Sequence, residues 1–309
     1  MYDGIVNIYK EAGFTSHDVV AKLRGIYGQK KVGHTGTLDP MAEGVLIVVL
    51  GRATKLADLI ITKRKKYTAT MKLGLVTDTD DITGKILSEA PADKVNDFFA
   101  AADIREVLEN VFQSFIGKGE QIPPMYSAIK VNGKKLYEYA REGKTVELTP
   151  RPIEIYSLRI VGLDKHTHEV TFEVESSKGT YIRSLIRDMG EALGLGATMS
   201  RLVRDEINGI YSDSSFRLSD LQMMKEAGTL EKSVLKMDEL LKDYPAVKVK
   251  TVASRLLQNG NPLGEDSFKG GSTREIKKAE FFRVYDGEEL KALYRYDSDG
   301  RRFKVFKML

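Results

Sequence analysis

The chain has 309 residues, of which 42% are hydrophobic, and its formal net charge is +4, from 48 Lys and Arg against 44 Asp and Glu. The absence of cysteine excludes a disulfide framework, a thiolate zinc site and a catalytic thiol, so any chemistry must come from oxygen and nitrogen side chains. The sequence has no signal-peptide pattern and no apolar run long enough for a membrane span, so we expect a cytoplasmic protein.

The N-terminal sequence predicts a strand followed by a helix. Residues 4–9 (GIVNIY) are mostly apolar and bounded by a charged segment, which is typical of a strand. Residues 15–28 carry apolar side chains at helical spacing, with Thr15 or Ser16 as the N-cap and Gly28 at the end.

Strand and helix patterns continue to about residue 194. The predicted segments are an apolar strand at 44–50, a helix at 52–61, an alternating strand at 65–74, a helix at 93–116, a turn at 131–135, and a strand at 169–176 that leads through Gly179 into a helix. Tyr67 lies on the apolar face of its strand, and Tyr181 and Arg183 lie in the first turn of the last helix. The pattern therefore favours mixed α and β structure.

The C-terminal sequence differs from the rest. After about residue 245, short strands are joined by Asp-Gly turns and spaced as in a small β-barrel. We therefore place a domain boundary near Tyr244 and Pro245, which divides the chain into residues 1–244 and 245–309.

Basic residues are clustered more strongly than the net charge implies. The clusters are GQKK (28–31), KRKK (63–66), GKK (133–135) and GRR (300–302). Such clusters favour a polyanionic partner.

The sequence contains little evidence for a nucleotide-cofactor site or a metal site. There is no G-x-x-x-x-G-K-[ST] motif. Residues 78–89 are superficially similar to a calcium loop, but Ile82 and Thr83 stand where an oxygen ligand and a glycine belong. His166 and His168 flank one threonine without a third ligand nearby in sequence. We expect no metal and no cofactor.

The stretch GHTGTLDPMAEGVL (33–46) places one carboxylate, Asp39, in a glycine-rich loop before an apolar strand. Pro40 disfavours the α conformation for the residue before it, so the backbone of Asp39 is held extended. Gly33 and Gly36 allow another molecule to approach the main chain closely. The pattern indicates a fixed carboxylate in a binding loop.

Residues 33–48 (GHTGTLDPMAEGVLIV) closely resemble the catalytic motif of the tRNA pseudouridine synthase B (TruB) family, whose members isomerise one uridine in the T-loop of tRNA. Further resemblances follow in the family's order at 4–20, 65–84, 122–143 and 176–194, and the C-terminal segment is similar to a PUA-type RNA-binding domain. One departure is Glu11, where the family usually has proline, and it affects the expected conformation of that loop rather than the chemistry.

The resemblance implies an α+β fold, with a mixed, largely antiparallel sheet flanked by helices and loops in a catalytic domain (1–244) and a small PUA-type β-barrel (245–309). It implies tRNA, through its T-arm, as the partner, position 55 as the site and a flipped target base. The reaction itself needs no cofactor, and we expect no obligatory protein partner, no membrane and, by default, a monomer.

The resemblance also implies residue roles. Asp39 would be the essential carboxylate, acting either by covalent addition or by drawing a proton from the sugar. Tyr67 would stack on the target uracil. The remaining substrate-binding residues would be Tyr181, Arg183, Leu202 and His34, with Asp81 and Lys10 in possible support. From its position, Arg183 could pair with Asp39, Asp81 or a phosphate.

Two alternatives stay open at this point. The first is a non-catalytic module that binds or folds RNA through the same pocket. The second is a synthase that acts on ribosomal RNA within a guide-RNA particle, although residues 126–143 resemble the bacterial, stand-alone branch of the family.

Overall fold

The computed structural model describes residues 1–61, 64–270 and 273–309. The strands in this part of the chain are β1 Gly4–Lys10, β2 Val32–His34, β3 Glu43–Leu50, β4 Lys65–Leu73, β5 Leu75–Thr77, β6 Ile86–Glu89, β7 Gly117–Gln121, β8 Lys130–Val131, β9 Lys134–Lys135, β10 Arg151–Asp164, β11 Glu169–Ser176, β12 Ala197–Ile207, β13 Ile210–Tyr211, β14 Ala246–Lys248, β15 Phe282–Asp286, β16 Glu289–Asp297 and β17 Arg302–Met308.

The α-helices of the described residues are α1 Ser16–Tyr27, α2 Ala57–Ile61, α3 Ala92–Ala100, α4 Ile104–Ser114, α5 Leu136–Arg141, α6 Ile182–Ala192, α7 Leu218–Glu226, α8 Met237–Leu240, α9 Ser254–Gln258 and α10 Arg274–Lys278. Short 3-10 helices cover Gly51–Leu56, Ser212–Ser214, Leu230–Ser233, Thr251–Ala253 and Glu265–Ser267. None of the described helices is long and apolar enough to cross a membrane.

A nine-stranded sheet forms the centre of the described structure. Its main path runs β1–β3–β12–β4–β11–β10–β7, with β2 paired to β3 and β13 paired to β12. The β3–β12 pairing is parallel and the other pairings in this sheet are antiparallel. Helices and loops flank this mixed, largely antiparallel sheet, which confirms the expected α+β class.

The first predicted helix and its cap are confirmed. Helix α1 begins after Thr15, whose Oγ1 accepts a hydrogen bond from Asp18 N at 3.1 Å while the Asp18 carboxylate accepts one from Thr15 N at 2.8 Å. These two hydrogen bonds satisfy the backbone N–H groups of Thr15 and Asp18, which the start of the helix would otherwise leave unpaired. Gly28 ends the helix in the left-handed conformation with φ 63°.

The structure differs from the sequence prediction in two of the predicted helices. The segment expected as one helix at 52–61 begins as the 3-10 helix Gly51–Leu56 and becomes α-helical only at α2. The segment expected as one helix at 93–116 is two helices, because Ala101 is extended with ψ 139°. The break lets α3 and α4 each place their own apolar face against the sheet.

The strand patterns are confirmed on the side of the sheet that faces α6. In β4, the side chains of Tyr67, Ala69, Met71 and Leu73 are all buried. They share one core with the inward side chains of β11 and β12 and with α3, α4 and α6. The opposite half of the molecule has a second core between α1, α7 and strands β1 and β3.

The C-terminal strands form an open sheet rather than the expected closed barrel. Its order is β14–β15–β16–β17, and in the described residues its two edge strands are not paired with each other. Single bridges join Leu263 to Phe303 and Phe268 to Val249, so an irregular segment spans the gap. The 3-10 turn Glu265–Ser267 interrupts that segment, which prevents it from completing a ladder.

The C-terminal sheet packs against one face of the central sheet, where β3 lies between β1 and β12. Phe281, Leu290 and Leu293 are buried in the same apolar cluster as Val45 and Ile47 of β3. The boundary placed at Tyr244 and Pro245 stays a prediction.

Candidate active site

The loop that carries Asp39 is held at both ends by buried side chains. Before Asp39, the backbone N of Leu38 donates to Ser16 Oγ at 2.9 Å. After it, the buried ammonium group of Lys10 donates to the carbonyls of Pro40 at 3.0 Å and Ala42 at 2.6 Å. The sequence pattern identified the loop and the resemblance named Lys10, but Ser16 was expected only as a helix cap.

Glu11, which stands where the family usually has proline, does not disrupt the contacts between Lys10 and the loop of Asp39. The Glu11 carbonyl accepts a third hydrogen bond from Lys10 Nζ at 3.1 Å, and its carboxylate pairs with Arg217 at 2.6 Å. Burial lowers the pKa of Lys10 to about 8. Lys10 therefore supports the loop through backbone carbonyls.

Arg183 pairs with Asp39. Its Nε lies 2.9 Å from Asp39 Oδ2, and its Nη2 donates to Oδ1 at 3.2 Å. Arg183 is 4% exposed, and its remaining donors bind the carbonyls of Thr79 at 2.9 Å and Tyr126 at 3.0 Å. Of the two carboxylates considered from sequence, Asp39 is the close partner, because Asp81 Oδ2 lies 3.9 Å from Nη1. Contact of Arg183 with a phosphate stays a prediction.

Asp81 mainly organises its own loop. Its Oδ1 accepts hydrogen bonds from the backbone N of Thr83 at 3.0 Å, from Thr83 Oγ1 at 2.6 Å and from Thr79 Oγ1 at 3.0 Å. Thr79 also supplies a carbonyl to Arg183, so hydrogen bonds connect Asp81 through Thr79 to the ion-pair partner of Asp39. The supporting role of Asp81 stays a prediction. The segment 78–89, which superficially resembles a calcium loop, forms the turn and the second strand of the β5–β6 hairpin.

Tyr67 is buried opposite Arg204 of β12, a residue that the sequence did not single out. Burial raises the pKa of Tyr67, while the charge of Arg204 and a hydrogen bond from it act in the opposite direction. Burial also lowers the pKa of Arg204. Alternation along β12 could have revealed Arg204, because it shares a strand face with the core residue Leu202.

Arg204 joins Tyr67 to the loop of Asp39. Its Nε donates to the carbonyl of Val45 at 2.7 Å, and its two Nη atoms approach the carbonyls of Gly36 at 3.1 Å and Thr37 at 3.5 Å. These carbonyls lie on both sides of Asp39 in sequence. One buried guanidinium therefore sets the distance between the carboxylate loop and the tyrosine strand.

Tyr181 is the N-cap residue of α6, and the side-chain amide of Gln121 holds its backbone through two hydrogen bonds. The Gln121 side chain accepts from Tyr181 N at 2.9 Å and donates to Tyr181 O at 3.0 Å. Gln121 is 4% exposed and ends β7, just before the segment that supplies Tyr126. Burial raises the pKa of the Tyr181 hydroxyl.

His34 and Leu202 lie beside the cavity and do not line it. The His34 ring packs edge-on against His17 with 5.4 Å between ring centroids, and it is His17 that lines the cavity. Burial lowers the pKa of His34, and His17 and Arg204 act in the same direction. Leu202 packs in the core with Tyr67. The substrate-binding roles expected for both residues stay predictions.

These elements enclose a cavity of about 510 Å³. Of the described residues that line it, one is a carboxylate, Asp39, and five are cationic: Lys65, Lys135, Lys178, Arg183 and Arg204. Tyr67, Tyr126, Tyr137 and Tyr181 supply its aromatic surface. The cavity thus combines one carboxylate, aromatic rings and excess positive charge.

The basic cluster 63–66 divides between two faces of the sheet. Lys65 lines the cavity, whereas Arg64 and Lys66 pair with Glu175 at 3.5 Å and Glu206 at 3.1 Å. Lys63 lies outside the described residues. Within the described ranges, no three His, Asp or Glu side chains come together as ligands for a metal ion.

Comparison with known proteins defines the class of this fold and site as a pseudouridylate synthase. The model of the family described as "TruB family pseudouridylate synthase (N terminal domain)" matches residues 24–182. A second model, "tRNA pseudouridylate synthase B C-terminal domain", matches residues 183–242. The chain belongs to the TruB family.

Named relatives and solved structures agree with this membership. The chain is 45% identical over 313 residues to the tRNA pseudouridine synthase B of Lachnoclostridium phytofermentans, covering 99% of each chain. It is 42% identical to that of Staphylococcus aureus, covering 95% of this chain and 94% of the relative. Its fold is similar to "Crystal Structure of a Cbf5-Nop10-Gar1 Complex", with TM-score 0.70 and 27% identity over 99% of this chain and 84% of the other.

Proposed function

We propose that this chain converts uridine to pseudouridine at position 55 in the T-loop of tRNA, with Asp39 as the essential carboxylate. The observation that carries the proposal is the position of Asp39. It is the one carboxylate among the described residues of a cation-lined cavity, and its loop is tied to Tyr67 through Arg204. Relatives named tRNA pseudouridine synthase B support the choice of tRNA.

The reaction needs no group beyond these side chains. The bond from N1 of uracil to C1′ of the sugar breaks, C5 bonds to C1′, the C5 proton leaves, and N1 gains a proton. A carboxylate can start this either by adding covalently or by removing a sugar proton. In both routes Asp39 must be aimed at the nucleotide, and the Arg183 ion pair provides that orientation. We expect no cofactor.

A base stacked in a folded RNA loop must be extruded to reach Asp39. The cavity volume of about 510 Å³ and its aromatic lining suit a flipped nucleotide held against Tyr67. Tyr181 and Arg183 would complete the contacts, with Leu202 behind the ring and His34 beside His17. The surrounding cations would neutralise the RNA backbone.

Residues 245–309 would bind another part of the tRNA as a PUA-type domain, with residues 1–244 as the catalytic domain. The sheet β14–β17 and the basic cluster 300–302 support this assignment. We expect the protein to act in the cytoplasm as a monomer without an obligatory protein partner.

A second candidate is a synthase that works on another RNA within a particle. It is favoured by the fold similarity to the structure described as "Structure of H/ACA RNP bound to a substrate RNA containing 2'-deoxyuridine", with TM-score 0.68 and 26% identity over 99% of this chain and 84% of the other. A module that only binds or folds RNA through this cavity is the non-catalytic alternative.

Tritium release from an unmodified tRNA transcript labelled at C5 of uridine tests the proposal. We expect the wild type to release one label per tRNA, Asp39→Asn to release none, and Asp164→Asn, at the exposed end of β10, to match the wild type. No release by the wild type on bare tRNA would overturn the proposal in favour of the particle or the non-catalytic module. Full activity of Asp39→Asn would overturn the role of Asp39.

A further inference from the structure

Helix α6 carries a second arginine one turn after Arg183. Arg187 follows Arg183 at the spacing that places two side chains on one side of a helix, where like charges repel each other. Two carboxylates compensate the charge of Arg187. Its Nη1 lies 3.1 Å from Asp80 Oδ2, and its Nη2 lies 2.8 Å from Asp188 Oδ1. Asp188 belongs to α6 itself, whereas Asp80 lies in the turn of the β5–β6 hairpin, so the pair with Asp80 joins two separate elements.

Both arginines bind this hairpin turn. Arg183 Nη1 donates to the Thr79 carbonyl at 2.9 Å, and Arg187 pairs with Asp80, the next residue. The Asp80 side chain is 13% exposed, and its backbone has φ 58°, a left-handed conformation that aspartate adopts more readily than most residues. Burial raises the pKa of Asp80, while the charges of Arg187 and Arg183 act in the opposite direction. One backbone contact and one side-chain contact therefore hold the turn against α6.

The same two arginines bind the segment that follows β7. Arg187 Nη2 donates to the Ile122 carbonyl at 3.1 Å, and Arg183 Nη2 donates to the Tyr126 carbonyl at 3.0 Å. Tyr126 lines the cavity. Arg187 thus connects the hairpin turn to this segment one helix turn away from Arg183, which makes the same connection and pairs with Asp39.

We propose that Asp80 and Arg187 are positioning residues that keep the ion pair of Arg183 and Asp39 in its reactive orientation. This inference rests on the proposed function and adds two residues to its site. Arg183 keeps one orientation only while its carbonyl acceptors stay in place, and the Asp80–Arg187 pair fixes the turn that supplies one of them. The described lining of the cavity includes neither Asp80 nor Arg187. Their loss should therefore change the rate of reaction and not the binding of RNA.

Single-turnover pseudouridine formation on a T-arm hairpin, measured at increasing protein concentration, separates positioning from folding and from RNA binding. A smaller folded fraction raises the half-saturating protein concentration and leaves the rate at saturation unchanged, whereas a misoriented Asp39 lowers that rate. Asp80→Asn is the test variant, because asparagine removes the charge and tolerates the left-handed backbone. Asp78→Asn is the matched control from the same turn. Asp78 Oδ1 accepts a hydrogen bond from Lys85 N at 2.7 Å, and an amide oxygen can retain it.

We expect Asp80→Asn and Arg187→Gln each to lower the rate at saturation about tenfold, with the half-saturating concentration within about twofold of the wild type. The double variant should lose about tenfold and not about a hundredfold, because the two residues act through one contact. Asp78→Asn should match the wild type in both quantities.

A wild-type rate in Asp80→Asn, an equal loss in Asp78→Asn, losses that multiply in the double variant, or a change confined to the half-saturating concentration would overturn the proposal. The comparison of Asp80→Asn with Asp78→Asn decides it if the proteins with Arg187→Gln do not fold. Absence of pseudouridine with the wild type, on the hairpin and on full-length tRNA, would instead refute the proposed function.

Discussion

Replacing Arg204 with lysine separates the charge of this residue from its geometry. The substitution keeps a buried cation, so the cost of burying the charge is similar in both proteins. A single ammonium group cannot reach the carbonyls of Gly36, Thr37 and Val45 and the hydroxyl of Tyr67 together. An ammonium group has three N–H donors for these four acceptors, so at least one acceptor would lack a donor. An unsatisfied buried group costs about 1–3 kcal/mol, so we expect the free energy of unfolding to fall by about 1–3 kcal/mol.

Activity should fall further than stability alone explains. Arg204 ties Tyr67 to the loop of Asp39, and a shift of about 1 Å between reacting groups can reduce a rate about 100-fold. Urea unfolding gives the stability change, and tritium release under conditions where the variant is folded gives the rate. Arg201→Lys is the control, because Arg201 is exposed on the same strand and only approaches Glu43 at 3.7 Å. Wild-type stability and rate in Arg204→Lys would refute this account of the residue.

Three other outcomes are expected. Gly44→Ala should destabilise the fold by more than about 2 kcal/mol in urea unfolding, because its Cβ would lie 2.2 Å from the Arg204 carbonyl oxygen at φ 98°. Gly25→Ala, at an exposed position of α1 with no atom near the added Cβ, should stabilise the fold by about 0.5–1 kcal/mol, and the reverse order would contradict the packing. From pH 8 to pH 10 the change in the free energy of unfolding should be about 2 kcal/mol more favourable in the wild type than in Lys10→Met, because burial lowers the pKa of Lys10 to about 8 from an ordinary 10.5 and the unfolded chain then binds more protons. Buried tyrosines such as Tyr27, whose pKa is raised to about 12, act in the opposite direction in both proteins, and identical profiles would count against the Lys10 shift. Binding of tRNA, measured by filter retention, should weaken at least about tenfold from 50 to 200 mM salt, and an affinity independent of salt would contradict a site built on cations.

Asp39 is fixed before any ligand arrives. Ser16 holds the residue before it, Lys10 holds the carbonyls after it, and Arg183 holds the carboxylate itself. A carboxylate fixed from three directions needs little reorganisation when a nucleotide enters, which is what catalysis by a positioned group requires.

Local sequence was sufficient for the elements whose causes are local. The capping pair of Thr15 and Asp18 and the final Gly28 determined the limits of α1, since these contacts span only a few residues. Alternation determined the buried face of β4, including Tyr67. The resemblance of the loop around Asp39 to a family motif identified the reaction, because that motif is nearly continuous in sequence.

The tertiary structure alone decided which distant groups meet. Arg183 and Asp39 are 144 residues apart, and Arg204 and Val45 are 159 apart, so no local pattern indicates that they are in contact. The sequence pattern also did not predict that the C-terminal sheet is open, because strand spacing does not indicate whether the two edge strands pair with each other. Propensity and periodicity act over one helix turn or one strand, whereas the active site is assembled by packing between separate strands and helices.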